Sequence, residues 1–168
     1  MKYKRKKDSD FWIFARSYLH DYMPVVRNLS DKSVETYKQS LKTYLRFLEI
    51  VKSLSNEKVT FDVFSRDYIK DYVIWLKEQG YSPKTINLKL TALRSFLKYS
   101  SEEDFELRGL YTEVCSIQKI KEDKQPIQYL QPTATSAILS AYDSKTNKHR
   151  RNRMILILLY DTGARVQE

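Results

Sequence analysis

The carboxyl-terminal residues of the chain combine an arginine with a carboxylate three positions later. Arg165 follows Gly163 by two positions and precedes Glu168 by three. A guanidinium is always protonated and presents planar donors that match two phosphate oxygens, and a carboxylate one helical turn away can hold it in place. The spacing therefore predicts that Arg165 binds a phosphate with support from Glu168. A helix C-cap followed by a surface ion pair accounts for this short segment equally well.

An apolar segment precedes the arginine and must position it. Residues 154–160 read MILILLY and are apolar on every side. Such a run predicts a helix, or less readily a strand, that is buried on all faces. Gly163 can adopt the left-handed conformation that ends a helix. We therefore expect Arg165 to emerge from a rigid, buried support, with Tyr160 inside it.

Composition narrows the fold class. The chain has 168 residues, of which 42% are hydrophobic, so it can bury a core in one large or two small domains. Only 3 glycines and 4 prolines interrupt it, which favours a mostly helical protein. A single cysteine, Cys115, excludes a disulfide framework within the chain. With only His20 and His149 besides, no metal site is expected.

The amino terminus does not resemble a secretion signal or an anchor. Its basic residues are followed by Asp8 and Asp10 rather than by an apolar stretch. The longest apolar run of the chain is too short to cross a bilayer. The expected location is cytoplasmic, with no membrane partner.

Positive charge is concentrated in the first hundred residues. Residues 1–100 hold 20 Lys+Arg and 11 Asp+Glu, a net charge of +9, whereas residues 101–168 hold 10 of each. Such asymmetry indicates a polyanionic partner, with nucleic acid as the first candidate and an anionic membrane surface as the second. Solvated helix faces without a partner are the remaining explanation.

The spacing of apolar side chains predicts four helices in the basic half, after a basic arm at residues 1–8. Their approximate ranges are 9–22, 30–51, 65–79 and 82–99. Pro24 is expected to stop the first helix, and Gly80 to cap the end of the third. Ser30 and Ser82 are N-caps, and Pro83 suits the first position of the fourth helix.

The second and fourth helices repeat one pattern at an offset of 52 residues, which pairs Ser30 with Ser82 and Lys42 with Arg94. The fourth helix is predicted to have one apolar face: Ile86, Leu90, Leu93 and Leu97. Each helix also carries a polar, basic face, on which lysine and arginine can reach DNA phosphates while amides and hydroxyls reach base edges. The candidate DNA-binding residues are Lys38, Gln39, Lys42, Thr43, Arg46, Lys84, Thr85, Asn87, Thr91, Arg94 and Lys98. Taken singly, each is also explained as a solvent-facing helix position.

These segments resemble the tyrosine recombinases, also called phage-type integrases. The resemblance is carried by Leu29–Val34 through Tyr44–Leu48, by Tyr81–Asn87 through Leu93–Leu97, and by Thr162–Glu168. The last segment is similar to the family's first arginine motif, Thr-Gly-x-Arg with a carboxylate three residues later. Asp161 and Gln167 depart from that pattern without affecting the arginine.

The resemblance implies an all-α fold: a four- to five-helix SAM-like core-binding bundle, followed by the helical beginning of a catalytic domain. The second and fourth helices then lie against the major groove of duplex DNA. The implied division is a basic arm at 1–8, a DNA-binding domain at 9–116, a linker at 117–126 and a catalytic-domain fragment at 127–168. Phe105–Cys115 is expected to form a short fifth helix, and Pro132–Tyr142 a helix of the second domain.

The resemblance also implies a reaction that needs no cofactor. A tyrosine attacks a DNA phosphodiester and forms a phosphotyrosyl intermediate, while two arginines stabilise the developing charge. Arg165 is similar to the first of these arginines. The family's other catalytic groups follow this motif in sequence, so none of the 13 tyrosines present is assigned as the nucleophile and this chain is expected to bind DNA without cutting it. The full-length parent is expected to act as a tetramer on DNA.

Three functions remain open. The first is the DNA-binding part of a site-specific recombinase or integrase of a mobile element, associated with the nucleoid. The second is a stand-alone, non-catalytic DNA-binding module or regulator derived from a recombinase. The third is a helical protein–protein adaptor whose basic face is incidental. Glycine-rich phosphate loops and the common hydrolase motifs do not occur in the sequence, so ATP and metal chemistry have no support.

Overall fold

The computed structural model of the chain describes residues 10–122, 129–142 and 145–163. The chain divides into two compact units, residues 1–123 and 124–168. Within the described ranges every regular element is a helix and none is a strand. The all-α fold class predicted from the sequence is therefore confirmed. The basic arm at residues 1–8, residues 123–126 of the predicted linker, and the pair Arg165 and Glu168 lie outside the described residues.

The first helix is longer than predicted. Helix α1 spans Asp10–Ser17 and continues directly as a π-helix over Tyr18–Val26, so the chain passes Pro24 in helical form. In an α-helix a proline removes one N–H donor and crowds the carbonyl four residues earlier. The turn here is already wound with bonds five residues apart, as the 2.9 Å bond from the Arg27 N–H to the Tyr22 carbonyl shows. The prediction that Pro24 stops the helix is wrong for this reason.

The other three predicted helices of the first unit are confirmed. They are α2 over Asp31–Lys52, α3 over Arg66–Glu78 and α4 over Pro83–Glu103, which runs four residues past its predicted end. Ser30 caps α2, because its hydroxyl accepts the Ser33 N–H at 3.4 Å, and Ser82 caps α4 by accepting the Thr85 N–H at 3.3 Å. Two single-turn 3₁₀ helices, Asn56–Lys58 and Phe61–Phe64, join α2 to α3 and were not predicted.

Gly80 ends α3 as expected. Its φ of +77° lies in the left-handed region that favours glycine. This conformation lets the Gly80 N–H reach the Lys77 carbonyl at 2.9 Å and the Tyr81 N–H reach the Leu76 carbonyl at 3.1 Å. The two bonds form a Schellman ending and turn the chain back toward the start of α4.

An aromatic core holds these helices together. The side chains that are less than 2% exposed include Phe11, Tyr18, Tyr44, Phe47, Phe64, Tyr72 and Phe96. All four residues of the predicted apolar face of α4 are also buried. Burial of each such side chain stabilises the unit by about 1.5–3 kcal/mol. The Tyr18 hydroxyl, which donates to Ser95 Oγ at 2.8 Å, and the Tyr44 hydroxyl, which donates to the Val63 carbonyl, add directional contacts within the core.

The first unit closes with a short fifth helix. A 3₁₀ turn at Phe105–Leu107 leads into α5, which spans Arg108–Cys115 and confirms the predicted Phe105–Cys115 helix. Ile117 and Ile120, which follow α5, pack against the core although they were assigned to the linker. The beginning of the predicted linker is therefore part of the first unit.

The second unit contains two described helices, α6 over Pro132–Ser140 and α7 over Asn147–Thr162. Gly163 ends α7 with a φ of +63°, as predicted. The prediction that residues 154–160 are buried on all sides is wrong, because Met154 is 64% exposed and Tyr160 is 65% exposed. A helix that is apolar all round needs neighbours on every side. Within 129–142 and 145–163 the only other helix is α6, which can cover one side at most.

Candidate nucleic-acid interface

The exposed edge of α4 carries three of the predicted DNA-binding side chains. Lys84, Thr91 and Lys98 are all exposed. The Thr91 hydroxyl donates to the Asn87 carbonyl at 2.8 Å, and Lys98 Nζ lies 3.8 Å from Glu102 Oε1 one turn later. An exposed ion pair of this length contributes little to stability. Both lysines can therefore turn toward an external anion.

The polar face of α2 is open along its second half. Lys42 and Arg46 are exposed and line an open depression of about 560 Å³. The first half of the face is less favourable for a phosphate, because Lys38 Nζ lies 3.7 Å from Glu35 Oε2 and the Gln39 amide donates to Glu35 Oε1. The hydrogen bond from Gln39 and the nearby Lys38 lower the pKa of Glu35, so its negative charge persists next to these predicted contacts.

Helices α2 and α4 together line a second open groove of about 410 Å³. Its walls include two predicted residues, Gln39 from α2 and Thr85 from α4. The remaining lining residues were not predicted as contacts: Lys32, Glu35, Thr36, Ser40, Leu88 and Lys89. The groove brings one residue of each predicted polar face, Gln39 and Thr85, to one shared surface.

Lys89 is a buried cation of this groove that was not predicted from the sequence. It is only 9% exposed, its Nζ donates to Thr43 Oγ1 at 2.9 Å, and it lies 5.2 Å from the centre of the Tyr81 ring. Burial lowers the pKa of Lys89, because the charged form loses hydration. The 52-residue repeat gave a signal, since it aligns Lys89 with Tyr37 on the core side of α2 rather than with a polar position.

Two predicted contacts on α4 are engaged within the protein. Asn87 is only 6% exposed and bonds to the backbone of Ile120. Arg94 is half-buried and donates to the carbonyls of Val114 and Ile117. The expectation that both belong to one open polar face is therefore wrong, because the chain after α5 covers that part of α4. Whether any of the predicted residues touches DNA stays a prediction.

The candidate catalytic pair, Arg165 and Glu168, lies outside the described residues, and helix α7 before it ends at Thr162. No group of three or more His, Cys, Asp or Glu side chains able to hold a metal occurs among the residues that the structure describes. Over the same residues, no helix is long and apolar enough to span a bilayer.

Comparison with known proteins points to one family. Residues 17–104, more than half of the chain, match the family described as phage integrase, N-terminal SAM-like domain. The chain is 29% identical over 147 residues to tyrosine recombinase XerD of Oceanobacillus iheyensis, covering 88% of this chain and 47% of that protein. It is 28% identical over 148 residues to tyrosine recombinase XerC of Bacillus pumilus, covering 88% and 46%.

A third relative matches the chain with similar coverage. Tyrosine recombinase XerC of Staphylococcus aureus is 25% identical over 146 residues, which cover 87% of this chain and 46% of that protein. The chain thus spans about half the length of the curated relatives it matches. No solved structure matched the chain.

Proposed function

Because the chain belongs to the family of phage integrase N-terminal SAM-like domains, we propose that it is the DNA-binding portion of a site-specific tyrosine recombinase or integrase. Its substrate is duplex DNA, bound across α2 and α4. The observation that carries the proposal is the set of exposed basic side chains on these two helices, both of which belong largely to the first hundred residues, where the whole excess of positive charge lies. Phosphate contacts supply most of the affinity of such a surface, and polar side chains supply the specificity.

Exposure to solvent supports a shorter set of candidate contacts. Lys42, Arg46, Lys84 and Lys98 are exposed and reach outward from α2 and α4. We assign the phosphate contacts to these four side chains. Gln39, Thr43, Thr85 and Thr91 are the remaining polar candidates for base edges or sugars. Lys38 is a less favourable phosphate contact than the other lysines because it forms an ion pair with Glu35.

Salt-dependent DNA binding tests this function. The full chain is titrated against fluorescent duplex DNA at several salt concentrations, beside the double variant Lys42→Glu, Lys84→Glu. Affinity falls as salt rises, and each lost phosphate contact reduces the magnitude of the slope of log K against log salt by about 0.9. The slope of the double variant should therefore be smaller in magnitude by about 2. The matched control is Lys70→Glu, Lys77→Glu, which makes the same change of net charge on the exposed side of α3.

The control separates a surface from a net charge effect. An unchanged slope in the α3 variant together with the reduced slope in the α2–α4 variant supports the proposed interface. Equal losses in both variants would mean that DNA senses only the overall charge. Absence of salt-dependent binding in the unsubstituted chain would leave the protein–protein adaptor as the better explanation.

In the whole recombinase, Arg165 is proposed to stabilise the charge that builds on the attacked phosphate, and Glu168 to hold its guanidinium. A preorganised cation acts mainly in the transition state, so loss of Arg165 should slow strand cleavage far more than it weakens DNA binding. The intermediate is proposed to be a phosphotyrosyl bond to a tyrosine outside these 168 residues. Assembly of four protomers on DNA and association with the nucleoid in the cytoplasm belong to the same proposal.

A stand-alone DNA-binding module derived from a recombinase is the second candidate. The observation that favours it is the compact first unit, residues 1–123, which has its own buried core. Reading the source DNA beyond the codon for Glu168 distinguishes the two, because a frame that continues to a His-x-x-Arg pair and a tyrosine supports the enzyme. A covalent adduct between this chain and DNA would show that a tyrosine within it is the nucleophile.

A further inference from the structure

The segment that leaves α5 is fastened to the side of α4. This strap, residues 116–122, has no regular secondary structure beyond its first turn. Two side chains of α4 bond to it or to the end of α5 next to it, namely Asn87 and Arg94. The strap ends one residue before Asp123, the last residue of the first compact unit. It is therefore the last part of the first unit before the chain enters the second.

The side-chain amide of Asn87 pairs with the backbone of the strap through a donor and an acceptor, as one peptide group does with another in a β-sheet. Its Nδ2 donates to the Ile120 carbonyl at 2.9 Å, and its Oδ1 accepts the Ile120 N–H at 2.9 Å. The same amide nitrogen donates to Glu122 Oε1 at 2.7 Å. Both donors of the amide are thus used, and the side chain is 6% exposed. A buried amide with its donors satisfied in this way has a fixed orientation and little capacity left for an external base.

Arg94 fastens the beginning of the strap, two helical turns further along α4. Its Nε donates to the Val114 carbonyl at 3.3 Å, and its Nη2 donates to the Ile117 carbonyl. The last carbonyls of a helix have no partner within the helix and carry partial negative charge. Arg94 therefore caps the end of α5 and secures the first residues of the strap.

From these contacts we infer that Asn87 and Arg94 are positioning residues, which fix where the chain leaves the DNA-binding unit, and that neither is a direct DNA contact. Helix α4 then has two roles. Lys84 and Lys98 are exposed, whereas Asn87 and Arg94 hold the strap. The exit of the connecting segment is set by the same rigid helix that is proposed to bind DNA. The hydrogen-bonded role of the strap does not depend on DNA binding.

Hydrogen exchange of the full chain, measured without DNA, tests whether Asn87 holds the strap. In Asn87→Leu, a change to an apolar side chain of the same branched shape that removes all three bonds, the Ile120 amide should exchange at least about tenfold faster than in the unsubstituted chain. Trypsin should also cut faster at the exposed Lys119 and Lys121 of the strap. Unchanged exchange at Ile120 overturns the proposal. Circular dichroism confirms that α4 and the rest of the bundle remain folded.

A strap-side variant separates positioning from direct DNA contact. Ile120→Pro removes the N–H that Asn87 accepts and leaves every side chain of α4 in place. If Asn87 acts only through the strap, Asn87→Leu and Ile120→Pro bind duplex DNA with the same affinity and the same salt slope. Weaker binding in Asn87→Leu alone means that the amide touches DNA and overturns the proposal. Should Asn87→Leu fail to fold, tryptic cleavage after Lys121 in Ile120→Pro no faster than in the unsubstituted chain also overturns it, because trypsin does not cut the bond between Lys119 and the introduced proline of this variant.

The two proposals fail in different ways. If the unsubstituted chain does not bind DNA, the exchange and trypsin measurements still decide whether Asn87 holds the strap. If the chain binds DNA but hydrogen exchange and tryptic cleavage of the strap are the same in every variant, the DNA-binding function stands and the positioning role of Asn87 is rejected.

Discussion

Helices α2 and α4 repeat one sequence pattern, yet they are used differently. Both begin at a capping serine and both bury an apolar face in the same aromatic core. The polar face of α2 is open to solvent at Lys42, whereas its counterpart Arg94 on α4 is half-buried under the end of α5. A repeated helix pattern therefore predicts which side packs into the core, but the rest of the chain decides whether the opposite side stays free.

The largest difference is expected at the pair Lys42 and Arg94. Arg94→Met should lower the free energy of unfolding by about 2 kcal/mol, because the charged bonds to the Val114 and Ile117 carbonyls are lost. Lys42→Met should change it by less than about 0.5 kcal/mol, since Lys42 is exposed. Urea denaturation of the two variants measures both values. Equal losses would show that the repeat positions are equivalent after all.

A second contrast lies in the core, where the repeat aligns Tyr44 of α2 with Phe96 of α4. The Tyr44 hydroxyl donates to the Val63 carbonyl, and Phe96 has no such group. Tyr44→Phe should therefore cost about 1–2 kcal/mol in chemical denaturation, because a buried carbonyl loses its donor. Tyr72→Phe is the matched control, since the Tyr72 hydroxyl has no hydrogen-bond partner among the described residues. Its removal should be neutral or stabilising, and a loss equal to that of Tyr44→Phe would contradict the assignment.

The smallest contrast concerns Lys89, whose repeat partner is Tyr37. Burial lowers the pKa of Lys89 below its unfolded value of 10.5, so the folded state binds this proton less tightly than the unfolded state. The protonated lysine therefore destabilises the fold at neutral pH, and this cost disappears as pH rises toward 10.5. Unfolding curves of Lys89→Met should show higher stability than the unsubstituted chain near pH 7, with the difference shrinking as pH rises. A constant difference between pH 7 and pH 10 would indicate that the Nζ is hydrated.

Comparison at several pH values must allow for the buried tyrosines. Burial raises the pKa of Tyr18, Tyr44 and Tyr72 above their ordinary value. These hydroxyls ionise more readily in the unfolded chain, so stability falls above pH 10 in every variant alike. Subtracting the curve of the unsubstituted chain removes this shared loss and leaves the contribution of Lys89.

Local signals in the sequence were sufficient for most of the helices in the first unit. Ser30, Ser82 and Gly80 determine helix ends through bonds to their own neighbouring backbone, so no distant residue is needed to predict them. Pro24 was misread because a proline excludes an ordinary α-helical turn but not the wider π turn that the chain adopts. That turn buries Tyr18 and Met23 in the core, and the local sequence does not state this packing.

The candidate interface was predicted in outline but not residue by residue. Helical periodicity placed Lys42, Lys84 and Lys98 on polar faces, and these side chains are exposed. The same periodicity grouped Asn87 and Arg94 with them. Periodicity reports only the spacing within one helix, whereas the segment that covers this part of α4 lies 20 to 33 residues later in the chain. The predicted burial of residues 154–160 is too high for a related reason. An apolar pattern indicates that a helix requires packing partners on every side, but it does not indicate which partners are present.

The sequence alone determined the helical fold class, the capped ends of α2, α3 and α4, the concentration of positive charge in the first hundred residues and the resemblance of the Arg165 segment to a recombinase motif. Each of these depends on composition or on residues within a few positions of one another. Only the tertiary structure decided that Lys89 is buried between α2 and α4, and that Asn87 and Arg94 hold the strap. Those roles arise from contacts between residues about 20 to 46 positions apart, and such contacts are set by packing in three dimensions rather than by local pattern.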